Sequence, residues 1–486
     1  MFTDKINKKQ LYRLLIASIL LGFPIGALIV YFPIQFVLGF FSAIAFTIIC
    51  FFRIDYALII YIVLNPLFST MIINLPSSVP DITFSRAAIV ILIPAFLYHV
   101  IFSKMKLTGE KKIEFWMLAF SILSIISMLI NYGSAEFLSA LFHFSDCYII
   151  PFIIFFLTRY IFSEKNNFNT ITKILLIPTI YLSVMAIYEE MTLHDIFPTA
   201  SFKYIYNSTL GHNVSTGLKI SESGMIRANG PFEYPETYGI VLASLALITS
   251  YHMNSVTEKP NNLNISKYVS IFILILSVFG LYFNRVRSVW IGAAMAFFVR
   301  FGSFKRQRAL MVIILVLLLI ASCLKYENIK STDVFKERIT NVQTIYARIA
   351  TINSAFRMFS DSPILGVGFN NFVNFYYSRK YTYFFLGIES LGYPHNTYLK
   401  ILAENGILGF ISFILILYYF LSYIKRIYEK HITNEEKRRL IPFFGVLIVY
   451  LLVSLSDTIG SFPNANVLFF FLMGILVAEA QKLNVV

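Results

Sequence analysis

The chain passes from a long polar loop into an apolar run in the stretch Pro394-His395-Asn396-Thr397-Tyr398-Leu399-Lys400-Ile401-Leu402-Ala403-Glu404-Asn405-Gly406-Ile407-Leu408-Gly409. Pro394 cannot continue a helix from before it, and Asn396 is a favourable N-cap residue, so a helix is predicted to begin here. Asn396, Lys400 and Glu404 recur every four residues and would form one polar stripe on this helix. Gly406 and Gly409 would let a neighbouring helix approach closely.

Composition places the whole chain in a membrane. Of its 486 residues, 57% are hydrophobic and only 14% are charged. A soluble protein of this composition would expose large apolar patches, whereas apolar runs of bilayer length recur here from end to end. We therefore expect an all-α fold, a polytopic transmembrane helical bundle that forms a single integral membrane domain over residues 1–486.

Fourteen candidate spans follow from a length of about 17–25 residues per span. The second, third and tenth are short, so twelve spans remain an alternative. The candidates begin near Leu14, Pro33, Tyr56, Arg86, Phe115, Cys147, Ile174, Glu236, Tyr268, Ser288, Ala309, Thr397, Leu440 and Ala465.

The basic residues predict the orientation of these spans. Lysine and arginine total 40 against 26 aspartates and glutamates. If the N-terminus is inside, the basic turns between spans all fall on the cytoplasmic side, as the positive-inside rule requires. Both termini are then cytoplasmic. No compact basic patch lies outside the membrane, so nucleic acid is not an expected partner.

Three segments that are not simple short turns then face outward. They are Glu189–Pro235, the tight turn Asn284–Arg287, and the longest, a large extracytoplasmic loop over residues 326–395. Long polar segments between spans are where function tends to sit. Apolar residues at helical spacing from Ile345 to Phe356 predict a helix in the long loop, with one face on the membrane surface.

Motifs for ATP, metal and redox chemistry are missing from the sequence. Gly387 and Gly392 have the glycine separation of a phosphate-binding loop, but Tyr393-Pro394 stands where lysine and serine or threonine are required. No His-Glu-x-x-His motif or cluster of paired aspartates occurs, and the three cysteines lack metal or redox spacing. We therefore expect no cofactor and no metal.

Four arginines and one histidine on the outer face remain as candidate site residues. The arginine fork matches phosphate oxygens, a helix N-terminus at Asn396–Thr397 adds donors for an anion, and histidine takes up a proton near neutral pH. The alternative for each arginine is interfacial anchoring, which we favour for Arg285, and the alternative for the histidine is a hydrogen-bonded surface residue. The five residues are Arg227, Arg285, Arg287, Arg348 and His395.

Together these residues resemble the O-antigen ligase and O-antigen polymerase superfamily. The family signature is His, then Asn, Ser or Gln, then nine residues, then Gly-x-x-Gly, and His395-Asn396 with Gly406-Ile407-Leu408-Gly409 matches it. The upstream Pro-x-x-Gly-x-Gly pattern is matched from Pro363 through Gly366 and Gly368. An arginine before it is matched by Arg348.

An earlier pattern, Arg-x-x-Gly-x-Phe followed by proline, is matched from Arg227 through Pro235. The Ser-Arg pair common at the end of a middle span appears as Val286-Arg287, without the serine. The resemblance is strongest over residues 227–420, which form the ligase- and polymerase-like signature region.

The resemblance implies a bacterial membrane glycosyltransferase that faces the outside, or periplasm, from the cytoplasmic (inner) membrane. Its donor would be a glycan on undecaprenyl pyrophosphate, and its acceptor a glycolipid or a second lipid-linked glycan. His395, Arg287 and Arg348 would be catalytic, with Arg227, Arg285 and Asn396 binding substrate, in an inverting reaction that needs neither metal nor ATP.

Two other functions are compatible with a polytopic membrane protein. A transporter or flippase of lipid-linked glycans would predict charges near the membrane midplane and an internal repeat. No repeat is visible, and the candidate charges cluster at the outer ends of the spans. A non-catalytic scaffold gives no reason for arginines and a histidine to collect on one face.

Overall fold

The structure is a computed structural model. It describes residues 34–68, 72–73, 82–103, 105, 107, 109–164, 167–192, 219–220, 226–254, 267–302, 343–430 and 433–483. The predicted spans near Leu14 and Ala309 lie outside the described residues, as does the first part of the long loop.

Helices dominate this part of the chain, as the apolar runs predicted. In chain order they are α1 (Ile34–Phe52), α2 (Ile54–Leu64), α3 (Phe84–Phe102), α4 (Lys112–Asn131), α5 (Ser134–Phe144), α6 (Ile150–Glu164), α7 (Phe168–Ile174), α8 (Leu176–Thr192), α9 (Pro235–Thr249), α10 (Lys267–Asn284), α11 (Arg287–Gly302), α12 (Gln343–Asp361), α13 (Asn371–Tyr377), α14 (Thr397–Glu429), α15 (Asn434–Ser454) and α16 (Pro463–Lys482).

Short irregular elements connect them. A π-helical turn at Ser145–Ile149 joins α5 to α6, and 3₁₀ turns lie at Ser250–Asn254 and Ile459–Ser461. Three antiparallel two-residue ladders pair β1 (Ile72–Ile73) with β2 (Ile82–Thr83), β3 (Lys219–Ile220) with β4 (Ile226–Arg227), and β5 (Phe384–Phe385) with β6 (Ile388–Glu389).

Seven of the described helical stretches are long and apolar enough to cross a membrane. Three shorter apolar helices, Gly39–Phe52, Ile54–Leu64 and Arg439–Ser454, add to them. The polytopic helical bundle is thus confirmed. One predicted start is displaced: the span placed near Cys147 belongs to a helical stretch that already begins near Glu136, because the π-helical turn continues α5 into α6.

The chain divides into two compact units. The first comprises Met1–Leu58 and Ile91–Lys104, and within it His99 Nε2 lies 3.3 Å from the backbone oxygen of Cys50, which ties α3 to α1. The second comprises Ile59–Val90 and Met105–Val486 and contains every candidate site residue.

The core of the second unit forms around α16, whose residues from Ala465 to Ala480 are buried. Helix α6 packs along α16, α11 along α15, α8 along α10 and α4 along α14. The apolar helix α9 is buried and completes this core. It begins with Pro235, at a position where proline costs no hydrogen bond. These pairs fix the ends of α11, α14 and α15, from which the candidate site is built.

Candidate active site

The helix predicted at Asn396 is present, and its cap is the predicted one. The Asn396 side chain accepts a hydrogen bond from the backbone N–H of Leu399 at 3.0 Å. His395 directly precedes this cap and has a left-handed backbone, with φ 45°. A non-glycine residue in that region costs about 1–3 kcal/mol, so the surrounding contacts hold His395 in place against a local preference.

A carboxylate lies against the imidazole of His395. Its Nδ1 is 3.4 Å from Asp457 Oδ1, and the other carboxylate oxygen, Oδ2, accepts a hydrogen bond from Ser288 Oγ at 3.0 Å. The Asp457 side chain is only 10% exposed, whereas that of His395 is 37% exposed. The acid is therefore sheltered behind a histidine that remains open to a substrate.

Backbone contacts hold this acid at the start of α14. Thr397 Oγ1 donates to the backbone oxygen of Asp457 at 2.9 Å, and Asn396 Nδ2 donates to that of Leu455 at 2.9 Å. The N-terminus of α14 is thus fastened to the segment that follows α15. Asn396 was predicted to bind substrate. Its side chain instead hydrogen-bonds within the helix cap and to Leu455 O.

Sequence reasoning missed Asp457 and Ser288. Asp457 follows α15, 62 residues after His395, and no motif marks it. Ser288 is more visible, because it follows Arg287 directly. The family pattern places a serine before the arginine, and here a serine after the arginine supplies a hydroxyl that bonds Asp457.

Three of the predicted arginines act on one another electrostatically, and one of them, Arg287, directly precedes Ser288, which bonds Asp457. Arg287 is the first residue of α11, Arg348 lies on α12 and Arg227 ends β4. Arg287 is exposed, yet crowding partly desolvates its guanidinium. This desolvation, followed by repulsion from Arg348 and Arg227, lowers the pKa of Arg287 from its ordinary value. Because mutual repulsion requires proximity, three cations share one electrostatic environment.

Two of these arginines have no acidic partner among the residues that the structure describes. Among the described residues, no carboxylate pairs with Arg227 or Arg348. Other arginines of this unit, such as Arg86 and Arg159, each lie within ion-pair distance of a carboxylate. Like charges held close together are unfavourable for folding and favourable for binding an anion. The cluster is therefore arranged to receive negative charge.

Arg285 has a different environment. Its Nη2 lies 2.6 Å from Glu190 Oε1, and its backbone is left-handed with φ 54°. This ion pair is consistent with the anchoring alternative for Arg285. The fourth arginine is thus tied to the end of α8 and already has its counter-ion.

Buried polar groups shape the loop that carries Arg227. Glu189 is fully buried, and its Oε2 accepts the backbone N–H groups of Asn229 at 3.1 Å and Gly230 at 3.2 Å. Asn284 Nδ2 donates to the backbone oxygens of Ala228 and Pro235 at 2.9 and 2.7 Å. These contacts bind the loop to α8 and α10. They join residues that are far apart in the sequence, so no local motif predicts them.

The polar stripe on α14 faces the protein interior. Lys400 Nζ donates to Ser461 Oγ at 2.6 Å and lies 3.9 Å from Glu404 Oε2. Glu404 Oε1 accepts the backbone N–H of Phe372 at 3.2 Å, at the start of α13. The side chain of Glu404 is 1% exposed, so it anchors the long loop and is closed to substrate.

The two glycine motifs meet in a single break of α14. Gly406 is non-helical, with φ 63°, and the backbone groups freed there bond the segment Pro363–Gly368. Ile407 N donates to Pro363 O at 2.9 Å, and Gly368 N donates to Glu404 O at 2.9 Å. A Cβ on Gly406 would overlap the backbone of Ile364, and one on Gly366 that of Glu404.

The prediction that Gly406 lets a neighbouring helix approach was therefore wrong about what approaches. The turn at Pro363–Gly368 approaches instead, and its backbone groups satisfy those freed at the break. Gly409 is crowded by Asn405 of its own helix, where a Cβ would lie 2.5 Å from Asn405 Cβ. Both glycines permit the kink.

A sequence model of one family matches this part of the chain. The family is described as O-antigen ligase, and the match covers residues 272–414. Residues 272–414 are therefore similar to the O-antigen ligase family. Among curated proteins, no sequence matches the chain.

The matched region contains Arg287, Arg348 and His395 together with both glycine motifs. Arg227 and Asp457 lie outside the match, but Arg227 acts electrostatically on Arg287 and Asp457 contacts His395. The site thus combines a cluster of cations with a histidine backed by a carboxylate. Such a set can bind an anionic leaving group and accept a proton beside it.

Proposed function

We propose that the protein transfers a glycan from a polyprenyl pyrophosphate donor, undecaprenyl pyrophosphate in bacteria, to an acceptor hydroxyl. The observation that supports this proposal is the electrostatic coupling of Arg227 and Arg348 to Arg287, whose neighbour Ser288 bonds the carboxylate of the His395–Asp457 pair. A pyrophosphate leaving group needs cations, and a sugar hydroxyl needs a base. The site supplies both.

In the proposed step, the acceptor oxygen forms a bond to the anomeric carbon of the donor sugar. The bond from that carbon to the pyrophosphate oxygen breaks, and the acceptor proton passes to His395. Negative charge develops on the departing lipid pyrophosphate, where arginines fixed beforehand stabilise it without reorganisation. Attack from the face opposite the leaving group inverts the anomeric centre.

Asp457 supports this role for His395. With Nδ1–H directed at the carboxylate, the free electron pair of the imidazole is on Nε2. The carboxylate also stabilises the imidazolium that forms as the proton arrives. A contact of 3.4 Å is long for a hydrogen bond, and contacts of this kind shorten when substrate binds.

The proposed location is the bacterial cytoplasmic membrane, with both termini in the cytoplasm and the site on the outer side. The distribution of basic residues between spans supports this orientation. Helix α12 fits it too, because Ile345 and Phe356 are 52% and 49% exposed on one face while Ala350 and Ala355 are buried on the other. The exposed face would lie on the membrane surface.

Two acceptors are compatible with the site. A ligase would use a glycolipid such as a lipid A–core, and a polymerase would use a second lipid-linked repeat unit. The glycolipid profile of a deletion strain separates them. Loss of polymer with retention of capped single units indicates a polymerase, and loss of every capped species indicates a ligase.

The decisive experiment for the reaction class is a purified transfer assay. The full-length protein in detergent is given labelled lipid-linked glycan and a candidate acceptor, without nucleotide. We expect a new glycosidic product together with free polyprenyl pyrophosphate. If reconstituted vesicles move the intact donor across the bilayer and no product forms with any acceptor, the protein is a transporter.

A further inference from the structure

Two exposed tyrosines lie on the long loop that ends at His395. Tyr377 is the last residue of α13 and is 68% exposed. Tyr393 lies two residues before His395 and is 44% exposed. Rings this open are expensive to leave in water, since each offers a large apolar face.

The fold brings together the two backbone segments that carry these rings. Tyr376 packs over Gly392, where a Cβ would already lie 3.1 Å from a ring carbon of Tyr376. Tyr377 directly follows Tyr376 in the sequence, and Tyr393 directly follows Gly392. The Tyr376 and Tyr377 rings contact each other, with 5.6 Å between their centroids. Tyr377 and Glu233 are also among the groups that act electrostatically on Tyr393.

Their hydroxyl groups are available. Within the described part of the chain, neither Tyr377 nor Tyr393 hydrogen-bonds through its hydroxyl. Other tyrosines of this region are engaged: Tyr381 donates to Asp361 at 2.6 Å and Tyr398 to Leu451 O at 3.2 Å. Desolvation raises the pKa of Tyr393, so its hydroxyl remains a donor at neutral pH.

We propose that Tyr377 and Tyr393 form a sugar subsite, which binds a pyranose ring of the glycan beside His395. This inference rests on the proposed glycan transfer and adds where the sugar is held. A pyranose has an apolar C–H face and a rim of hydroxyls, and a tyrosine offers a ring face and a hydroxyl to match them. The arginine cluster is left to the pyrophosphate.

The other occupant such rings suit is the membrane interface, where tyrosine is common. The loop has a better-suited anchor in the β5–β6 hairpin, where Phe384 is 56% and Leu386 70% exposed. Those side chains carry no polar group. The tyrosines differ in having hydroxyls and in standing next to the proposed base.

A binding experiment tests the subsite. The probe is the oligosaccharide released by mild acid from the producing strain's own lipid-linked glycan, added to the full-length protein in detergent. Tyr377→Ala and Tyr393→Ala should each weaken its binding about three- to tenfold. The Phe substitutions keep the ring and should lose less. The matched control is Phe384→Ala, an exposed aromatic of the same loop, which should bind as wild type does.

Several outcomes would overturn the subsite. They are no binding by the wild-type protein, unchanged binding by both Ala variants, or an equal loss in Phe384→Ala, which would indicate membrane anchoring or a general disturbance of the loop. Inorganic pyrophosphate, which the arginines would bind, should bind both tyrosine variants normally. A loss of its binding would also contradict a dedicated sugar contact.

Steady-state kinetics identifies which sugar is bound. A rise of the acceptor KM with unchanged donor KM assigns the subsite to the acceptor, and the reverse assigns it to the donor. Failure of the subsite is distinguishable from failure of the proposed function. In the first case both tyrosine variants transfer glycan with wild-type constants, and in the second the wild-type protein forms no product.

Discussion

Replacing Asp457 by asparagine should disable His395 while leaving the fold intact. Asparagine has the same shape and can still accept the hydrogen bond from Ser288, which is 3.0 Å long. Its amide nitrogen would then face Nδ1 of His395 and favour the wrong tautomer. The imidazolium formed during transfer would also lose its counter-charge.

The geometry sets the size of the effect. A hydrogen bond to a charged group contributes about 1.5–3 kcal/mol. Asp457 is 10% exposed, so solvent screens it little, but its 3.4 Å separation from His395 argues for the lower part of that range. A loss of about 1.5–2 kcal/mol corresponds to a rate decrease of about ten- to thirtyfold.

The assay is transfer by purified protein at saturating donor and acceptor, because a loss in kcat reports on the chemical step. Ser288→Ala is the matched control. It removes a neutral contact to the same carboxylate and should cost about two- to tenfold. The donor KM should stay within about twofold in both variants, since the arginines are untouched.

A double-mutant cycle gives the refuting result. In the His395→Gln background, Asp457→Asn should have little further effect, because a positioning residue acts only through the group it positions. If the same ten- to thirtyfold loss recurs in that background, or if Asp457→Asn alone keeps the wild-type kcat, Asp457 does not act through His395.

Three further predictions concern the arginine cluster, the kinked helix and the orientation. Arg287→Lys keeps a positive charge but loses the planar fork, so transfer should fall about ten- to a hundredfold, and near-wild-type transfer at equal protein level would exclude two-point phosphate contact. Gly406→Ala should lower the free energy of unfolding by more than about 2 kcal/mol, because alanine would need a left-handed backbone and would overlap the facing segment. The control Gly133→Ala, which has open space around it, should leave stability unchanged. Equal melting temperatures of the two variants in detergent would contradict the kink. In a cysteine-free background, an impermeant thiol reagent should label Ser378→Cys but not Lys430→Cys in intact cells, and the opposite pattern would invert the topology.

Local sequence signals were sufficient for the framework of the site. The proline and asparagine before Thr397 predicted where α14 begins, and its cap forms as predicted. Apolar runs predicted most of the other described helices, because bilayer length and helical hydrogen bonding are properties of a continuous segment, but they did not reveal α5 or α13. The candidate arginines were found because they lie in the three segments predicted to face outward and match the family patterns.

The site residues that could not be predicted from the sequence depend on tertiary contacts. Asp457 reaches His395 across 62 residues, and Ser288 reaches Asp457 across 169. Such pairs depend on how α11, α14 and α15 pack, so no periodicity or cap reveals them. Gly406 was recognised as a site of close approach, but its break could be seen only once the facing segment was placed.

The central claim is that His395 accepts the proton of the acceptor hydroxyl during glycan transfer. The most direct test compares wild-type protein with His395→Gln, which keeps a hydrogen-bonding side chain and cannot take up the proton. With lipid-linked donor and acceptor, we predict that transfer by the variant is about a hundred- to ten-thousandfold slower while donor binding is unchanged. Turnover by His395→Gln near the wild-type rate would contradict the account, since His395 would then be a structural residue.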